Sequence, residues 1–216
     1  MCFCDIMSNK GNFCVEMDIE TYQISLNNVI QMKRRGHSIM CAPLEKIRGK
    51  SAAAILEAIG LSETVPVPLD PILEYLGISA VPFDFSEVED ALAETVSRRG
   101  NILGMMISKG DSAGILYRKS DSVNRQRFTI AHELGHCALA PKVITRRIEF
   151  RNDKKTNDLK EIDANTFAGE LLIPEKSLRM LYDETVMPIV SLLAKAFAVS
   201  ENVMRARLDV LGLNHA

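Results

Sequence analysis

Residues 132–136 read His-Glu-Leu-Gly-His and lie inside the apolar run FTIAHELGHCAL, Phe128–Leu139. A run with hardly any polar stripe predicts a buried helix. On a helix, residues four positions apart project from one face, so the ring nitrogens of His132 and His136 can reach one metal ion. Glu133 can reach a water molecule in the open position of that metal. The pattern predicts one catalytic zinc ion per chain, with Glu133 as the general base.

A structural explanation of these histidines competes with the metal site. Histidines on a buried helix face are more often hydrogen-bonded core residues than metal ligands. However, His132, Glu133 and His136 form a cluster of ionisable groups, which is costly to bury unless it is paired or bound to metal. The whole chain has four histidines in 216 residues, so two of them at this spacing are poorly explained by chance. We therefore favour the metal site.

A catalytic zinc ion usually takes three protein ligands, and Glu161 is the expected third one. Residues 159–173, LKEIDANTFAGELLI, predict a helix that stops at Pro174. Glu161 and Asn165 fall on its apolar face, where a carboxylate needs a cationic partner. We expect Asn165 to orient a ligand histidine by a hydrogen bond. A salt bridge between Glu161 and an arginine such as Arg127 is the alternative. The apolar face consists of Ala164, Ala168, Leu171 and Leu172.

Two sequence runs resemble the paired signatures of the ImmA/IrrE family of zinc metallopeptidases. They are RQRFTIAHELGHCAL at 125–139 and EIDANTFAGELLIP at 161–174. The tail LAKAFAVSENVMRARLDVLGL, 193–213, is similar to the C-terminal helical pair of that family. The resemblance covers residues 51–213 and is most specific in the two signatures. One departure is Ile173, which stands where methionine is common.

This resemblance implies both a site and a substrate. The implied zinc ligands are His132, His136 and Glu161, and the implied catalytic base is Glu133. The implied partner is a protein substrate, a helix-turn-helix repressor in a phage, mobile-element or stress-response circuit. The alternative is a non-proteolytic regulator, or a toxin–antitoxin component, that binds its partner through the same zinc fold. The intact Glu133 favours the peptidase, because binding alone does not require a base.

Composition limits the classes of protein to which the chain can belong. Hydrophobic residues make up 47% and charged residues 25%, as in soluble globular proteins. A net charge of −2 gives no basic stripe, so direct binding of nucleic acid is not expected. No apolar segment is long enough to span a membrane, and a secretion signal is not recognisable, which predicts a cytoplasmic protein. Five cysteines, an odd number, do not suggest an extracellular disulfide framework.

The order of predicted elements indicates an α+β fold, with a small antiparallel or mixed sheet packed against helices. The family resemblance implies a gluzincin-like metallopeptidase core that contains the HExxH helix and a C-terminal helical hairpin. Residues 1–50 are expected to be a poorly defined N-terminal extension, and 51–216 the metallopeptidase domain, with the hairpin at 183–213. Helices are predicted at 51–60, 70–77 and 86–99, and strands at 78–83, 102–108 and 113–118.

Substrate-binding residues are not identified by the sequence, although one strand is a candidate. Strand 113–118 leads into the metal helix and is expected to lie at a sheet edge, where it would bind extended substrate by strand addition. An ordinary core strand is the alternative. Tyr117, Tyr182 and Arg127 are the candidates for stabilising the oxyanion of the reaction. The sequence does not rank them.

The C-terminal hairpin has two possible roles. Its second helix carries Arg205 and Arg207, which fits a DNA-binding helix-turn-helix. Two arginines do not make a basic face, so we favour a hairpin that packs against the core. A role in substrate docking is also open. The residues expected to be buried by packing are Val190, Leu193, Leu208 and Leu211.

Overall fold

A computed structural model describes residues 42–91, 93, 97, 100–109, 112–139, 146–150, 159–183 and 189–213. All of these belong to one compact unit, Ser38–Ala216. Residues 1–41 of the predicted N-terminal extension, which include four of the five cysteines, lie outside the described residues. The division of the chain at residue 50 stays a prediction, although Leu44 and Ile47, just upstream of it, are buried in the core of this unit.

The described residues form an α+β fold, as predicted. The helices are α1 (Ala42–Ile47), α2 (Ala52–Ala58), α3 (Asp70–Leu76), α4 (Ser86–Ala91), α5 (Val123–Leu139), α6 (Leu159–Leu172), α7 (Glu175–Asp183), α8 (Val190–Ala196) and α9 (Glu201–Val210). The strands are β1 (Ile78–Phe83), β2 (Ile102–Lys109), β3 (Ser112–Arg118) and β4 (Arg146–Phe150).

Local capping residues explain why several of these boundaries follow from the sequence. The hydroxyl of Ser51 accepts a hydrogen bond from the Ala54 amide and begins α2. Ser200 caps α9 in the same way through the Val203 amide. Gly77 ends α3 with a φ of 72°, a conformation that glycine adopts without a steric penalty. The helix ends predicted at residues 51 and 77 are confirmed.

The strands form one mixed sheet in the order β1-β3-β2-β4. β1 pairs with β3 in parallel, whereas β2 is antiparallel to both β3 and β4. The prediction of a small mixed sheet is confirmed. The prediction that strand 113–118 lies at an edge is wrong, because β1 and β2 bond to it on both sides. Its backbone groups are already used in the sheet and are not available for adding a substrate strand.

Helix α5 is the central element of the packed core. It contacts β2 and β3 of the sheet and packs along α6. Its residues from Thr129 to Ala138 are all buried, as predicted for the apolar run. The helix begins five residues before Phe128, and its last residue, Leu139, is exposed. α5 therefore carries the His-Glu-x-x-His pattern into the interior and holds it against α6.

The C-terminal hairpin of α8 and α9 packs on α6. Val190, Leu193 and Leu208 are buried, and Leu211 is partly buried, which supports the packing role. Arg207 is 7% exposed, and its Nε donates a hydrogen bond to the Ile173 carbonyl at 3.2 Å. It is therefore not available to contact DNA.

Nearby carboxylate charge offsets only part of the effect of burial on the pKa of Arg207. Burial lowers the pKa of the Arg207 guanidinium, while the nearby charge of Glu170, 3.7 Å away, opposes that effect. Arg207 therefore joins α9 to the end of α6 through one carbonyl and one carboxylate. This contact holds the hairpin against the helix that carries Glu161.

None of the helices in the described part of the chain has the length and apolar character needed to cross a lipid bilayer.

Candidate metal centre

Helix α5 presents the two histidines and Glu133 in the interior of the unit. His132 is 6% exposed, His136 is 5% exposed and Glu133 is fully buried. The two imidazole rings lie almost perpendicular, with centroids 4.5 Å apart. Their Nε2 atoms are 2.9 Å from each other. The spacing of four residues on one helix therefore brings both ring nitrogens to a single point.

Helix α6 adds the third side chain to this point. Glu161 Oε2 lies 3.4 Å from His132 Nε2 and 3.5 Å from His136 Nε2. The Glu161 side chain is mostly buried, with 18% of it exposed. His132, His136 and Glu161 form the one group of three potential ligands that the described residues contain. The sequence-predicted ligand set is thus brought together by the packing of α5 on α6.

The dimensions of this group fit a zinc ion. In tetrahedral coordination, with ligand bonds of about 2.0–2.1 Å, two ligand atoms lie about 3.3 Å apart. The three donor atoms form a triangle with edges of 2.9, 3.4 and 3.5 Å. Two imidazole nitrogens and one carboxylate oxygen are also ligands that zinc accepts. Three protein ligands would leave a fourth position open, as in a catalytic site.

Asn165 contacts the other nitrogen of one candidate ligand. Its Oδ1 lies 2.9 Å from His132 Nδ1. Since an amide oxygen can only accept, the ring nitrogen donates, and His132 Nε2 keeps its lone pair for a metal. Asn165 is an exposed residue, so its expected place on the buried face of α6 is wrong. It lies at the margin of that face, where its side chain still reaches the histidine.

Strand β2 packs closely against the part of α5 that carries Glu133. A Cβ atom on Gly104 would lie 3.4 Å from Glu133 Oε1 and 2.7 Å from Thr129 Cγ2. A side chain at Gly104 would therefore collide with α5 where Glu133 is buried. Sequence reasoning missed Gly104 and Thr129, although an isolated glycine within a strand does indicate a close approach of another element.

The Arg127 side chain does not provide the salt bridge to Glu161 considered as an alternative. Its guanidinium donates to the carbonyls of Val67, at 2.8 Å, and Ala198, at 3.2 Å. Burial lowers its pKa, and the charge of Asp70 opposes this. Arg127 therefore attaches α5 to two loops, and the carboxylate of Glu161 faces the two histidines instead.

The two tyrosines considered for the oxyanion lie in different elements. Tyr117 is a partly buried residue of β3, and burial, followed by the charge of Asp70, raises its pKa. Tyr182 lies in α7 and is partly buried against the core. The oxyanion role of Tyr117, Tyr182 and Arg127 stays without an assignment.

Comparison with known protein families finds one match in the region that contains this centre. The family model described as the IrrE N-terminal-like domain, Peptidase M78, matches residues 74–209, which is more than half of the chain. The matched region runs from α3 into α9 and contains all three potential ligands and Glu133. No curated protein sequence gives a significant match.

Proposed function

This chain belongs to the ImmA/IrrE family of metallopeptidases, and on that premise we propose that it is a zinc-dependent endopeptidase that cleaves a protein partner. The single observation that carries the proposal is the triangle of donor atoms from His132, His136 and Glu161, with edges that suit tetrahedral zinc. The position of Glu133, one residue after a ligand, supports the assignment of a hydrolytic site rather than a purely structural one.

In the proposed mechanism, His132, His136 and Glu161 hold the metal, and Asn165 keeps His132 in the tautomer that can ligate. A zinc ion held by these residues would supply Lewis acidity towards water and the substrate carbonyl. Glu133 accepts a proton from the attacking water and delivers it to the leaving amine. The burial of Glu133 excludes bulk water, and charges interact more strongly in such a site than in water.

Membership of a peptidase family implies a protein substrate. We propose that the substrate is a helix-turn-helix transcriptional repressor in a phage, mobile-element or stress-response circuit, with the cytoplasm as the compartment where enzyme and repressor meet. This part of the proposal rests on the family alone. Arg207 is not available for a DNA contact by the C-terminal hairpin, since it is buried in packing against α6.

The proposal is tested with repressor-like proteins encoded beside this gene. The purified enzyme is incubated with each candidate repressor, and the products are identified by mass spectrometry. We expect two fragments that share one new pair of termini, formed with zinc and not after chelation. Glu133→Gln is the matched control, because it keeps the shape of the side chain and removes its basicity.

The binding-only alternative gives a different result in the same experiment. An intact repressor recovered in a stable complex with both the wild type and Glu133→Gln would assign the chain to regulation by binding. Cleavage by wild type alone would assign it to the peptidase. A comparison of wild type with Glu133→Gln therefore distinguishes a peptidase from a regulator that acts only by binding.

A further inference from the structure

Gly135 lies between the two histidines at a close contact between α5 and α6. A Cβ atom on Gly135 would lie 2.9 Å from the Ala164 carbonyl oxygen, 3.1 Å from Ala164 Cα and 3.1 Å from Phe167 Cβ. Two of these three atoms are backbone atoms of α6. They cannot move aside by a change of side-chain rotamer, so a substituent at Gly135 has to push the two helices apart.

Local preference does not explain a glycine at this position. In the interior of a helix, glycine is less favourable than alanine by roughly 1 kcal/mol. Gly135 is the fourth residue of the metal motif, within a helix that runs from Val123 to Leu139. A residue that weakens the helix here is explained by the close approach of α6.

The same contact lies within one helical turn of each potential ligand. Gly135 directly precedes His136, and Ala164 is three residues after Glu161. The separation of α5 and α6 at this point therefore sets the separation of the histidine nitrogens from the Glu161 carboxylate, which are now 3.4 and 3.5 Å apart.

The tolerance of a metal site is small compared with the displacement that a methyl group would cause. Ordinary contact begins at 3.4 Å, so the 2.9 Å gap at Gly135 would have to widen by about 0.5 Å. Metal–ligand distances in a working site stay within about 0.2 Å of their preferred values. The displacement expected from a single added carbon therefore exceeds this tolerance.

We infer that Gly135 is a positioning residue that, by allowing α5 to touch the backbone of α6 at Ala164, brings the Glu161 carboxylate within coordinating distance of the zinc held by His132 and His136. This inference rests on the proposed zinc site. It adds a function for the fourth residue of the motif, which neither ligates nor transfers a proton.

The test begins with the zinc affinity of wild type and Gly135→Ala, measured by competition with a chelating dye. Wild type has to bind zinc; a failure at this step would contradict the proposed function and not only this inference. We expect Gly135→Ala to keep its far-ultraviolet circular dichroism and to bind zinc on the order of 10- to 100-fold more weakly. In the cobalt-substituted protein, the visible absorption typical of a tetrahedral site should lose intensity or shift.

Gly169→Ala is the matched control for the effect of replacing a helical glycine. Gly169 lies in the interior of α6, and its Cβ would meet only Arg207 Cδ, at an ordinary 3.9 Å. We expect its zinc affinity to stay within about twofold of wild type, since nothing has to move. A loss in Gly169→Ala equal to that in Gly135→Ala would overturn the inference.

A double-mutant cycle with Glu161→Gln separates positioning from general packing. If Gly135 acts through the third ligand, Gly135→Ala should weaken zinc binding strongly in wild type and little further in the Glu161→Gln background. Equal fold losses in the two backgrounds would contradict the positioning role. A Gly135→Ala protein that remains unfolded at low temperature with excess zinc would assign the glycine to core packing and would also overturn it.

Discussion

Asn165 Oδ1 and Glu161 Oε2 contact opposite nitrogens of the same imidazole, that of His132. The first contact, of 2.9 Å, fixes the proton on Nδ1, and the second faces the Nε2 atom that is left with a lone pair. Both residues lie on α6, one turn apart. One helix would therefore supply one ligand of the proposed metal site and also determine the tautomer of another.

Replacement of Asn165 tests this relationship. Asn165→Ala removes the acceptor for His132 Nδ1, so the ring is free to rotate and to change tautomer. We expect zinc affinity to fall on the order of tenfold. Asn165→Asp keeps an oxygen acceptor and should stay close to wild type. Asn124→Ala, which removes a hydrogen bond from α5 to the Val199 carbonyl, is a control that should leave zinc affinity unchanged.

Replacement of Glu161 tests the third ligand. Glu161→Gln removes the negative charge that faces His132 and His136, so zinc affinity should fall at least 100-fold, or by about 2.7 kcal/mol. Asp163→Asn is the control, since Asp163 is an exposed carboxylate two residues further along α6. Isothermal titration with zinc distinguishes the two variants. Tight binding that survives in Glu161→Gln would remove Glu161 from the ligand set.

Gly104→Ala tests the close packing of β2 against α5. Its Cβ would meet Thr129 Cγ2 at 2.7 Å, so we expect a loss of unfolding free energy of about 1–3 kcal/mol. The same collision should disturb Glu133 and lower activity. Urea unfolding and peptide cleavage measure the two effects.

Thr129→Ser provides the compensating change for Gly104→Ala, because serine lacks the colliding methyl group. The double variant should recover part of the unfolding free energy lost in Gly104→Ala. If the loss of unfolding free energy in the double variant equals the sum of the losses in the two single variants, the methyl group is not the obstacle.

Arg207 and Arg205 form a matched pair on α9. Arg207→Ala removes the hydrogen bond to the Ile173 carbonyl and leaves a buried space, so unfolding free energy should fall by about 2–4 kcal/mol. The Arg205 side chain is 43% exposed and lies 4.0 Å from Glu201, so Arg205→Ala should cost less than about 1 kcal/mol. Equal and small effects of both substitutions would contradict the packing role of the hairpin.

The sequence predicted local features better than long-range pairing. The ligand spacing of His132 and His136 follows from helix periodicity, and Ser51 and Gly77 mark helix ends by their own chemistry. The position of β3 depends on parallel pairing with β1, a strand that ends more than twenty residues before β3 begins. No local pattern in residues 113–118 indicates this pairing, and for that reason the prediction of an edge strand is wrong.

Periodicity also does not predict how closely two helices approach each other. The periodic pattern places Glu161 on the correct side of α6, yet the distance of its carboxylate from the histidines depends on how closely α5 approaches. That approach is permitted by Gly135, whose importance is visible only once Ala164 is opposite it. Asn165 was placed by periodicity on a buried face, whereas it reaches His132 from an exposed position.

The most direct test of the central claim is the zinc content of wild type and Glu133→Gln, measured together with cleavage of the repressor candidate. The account predicts one zinc ion per chain in both proteins and cleavage by wild type only, because Glu133 transfers protons and does not ligate. Cleavage by Glu133→Gln at the wild-type rate, or the absence of zinc from both proteins under metal-replete conditions, would contradict it.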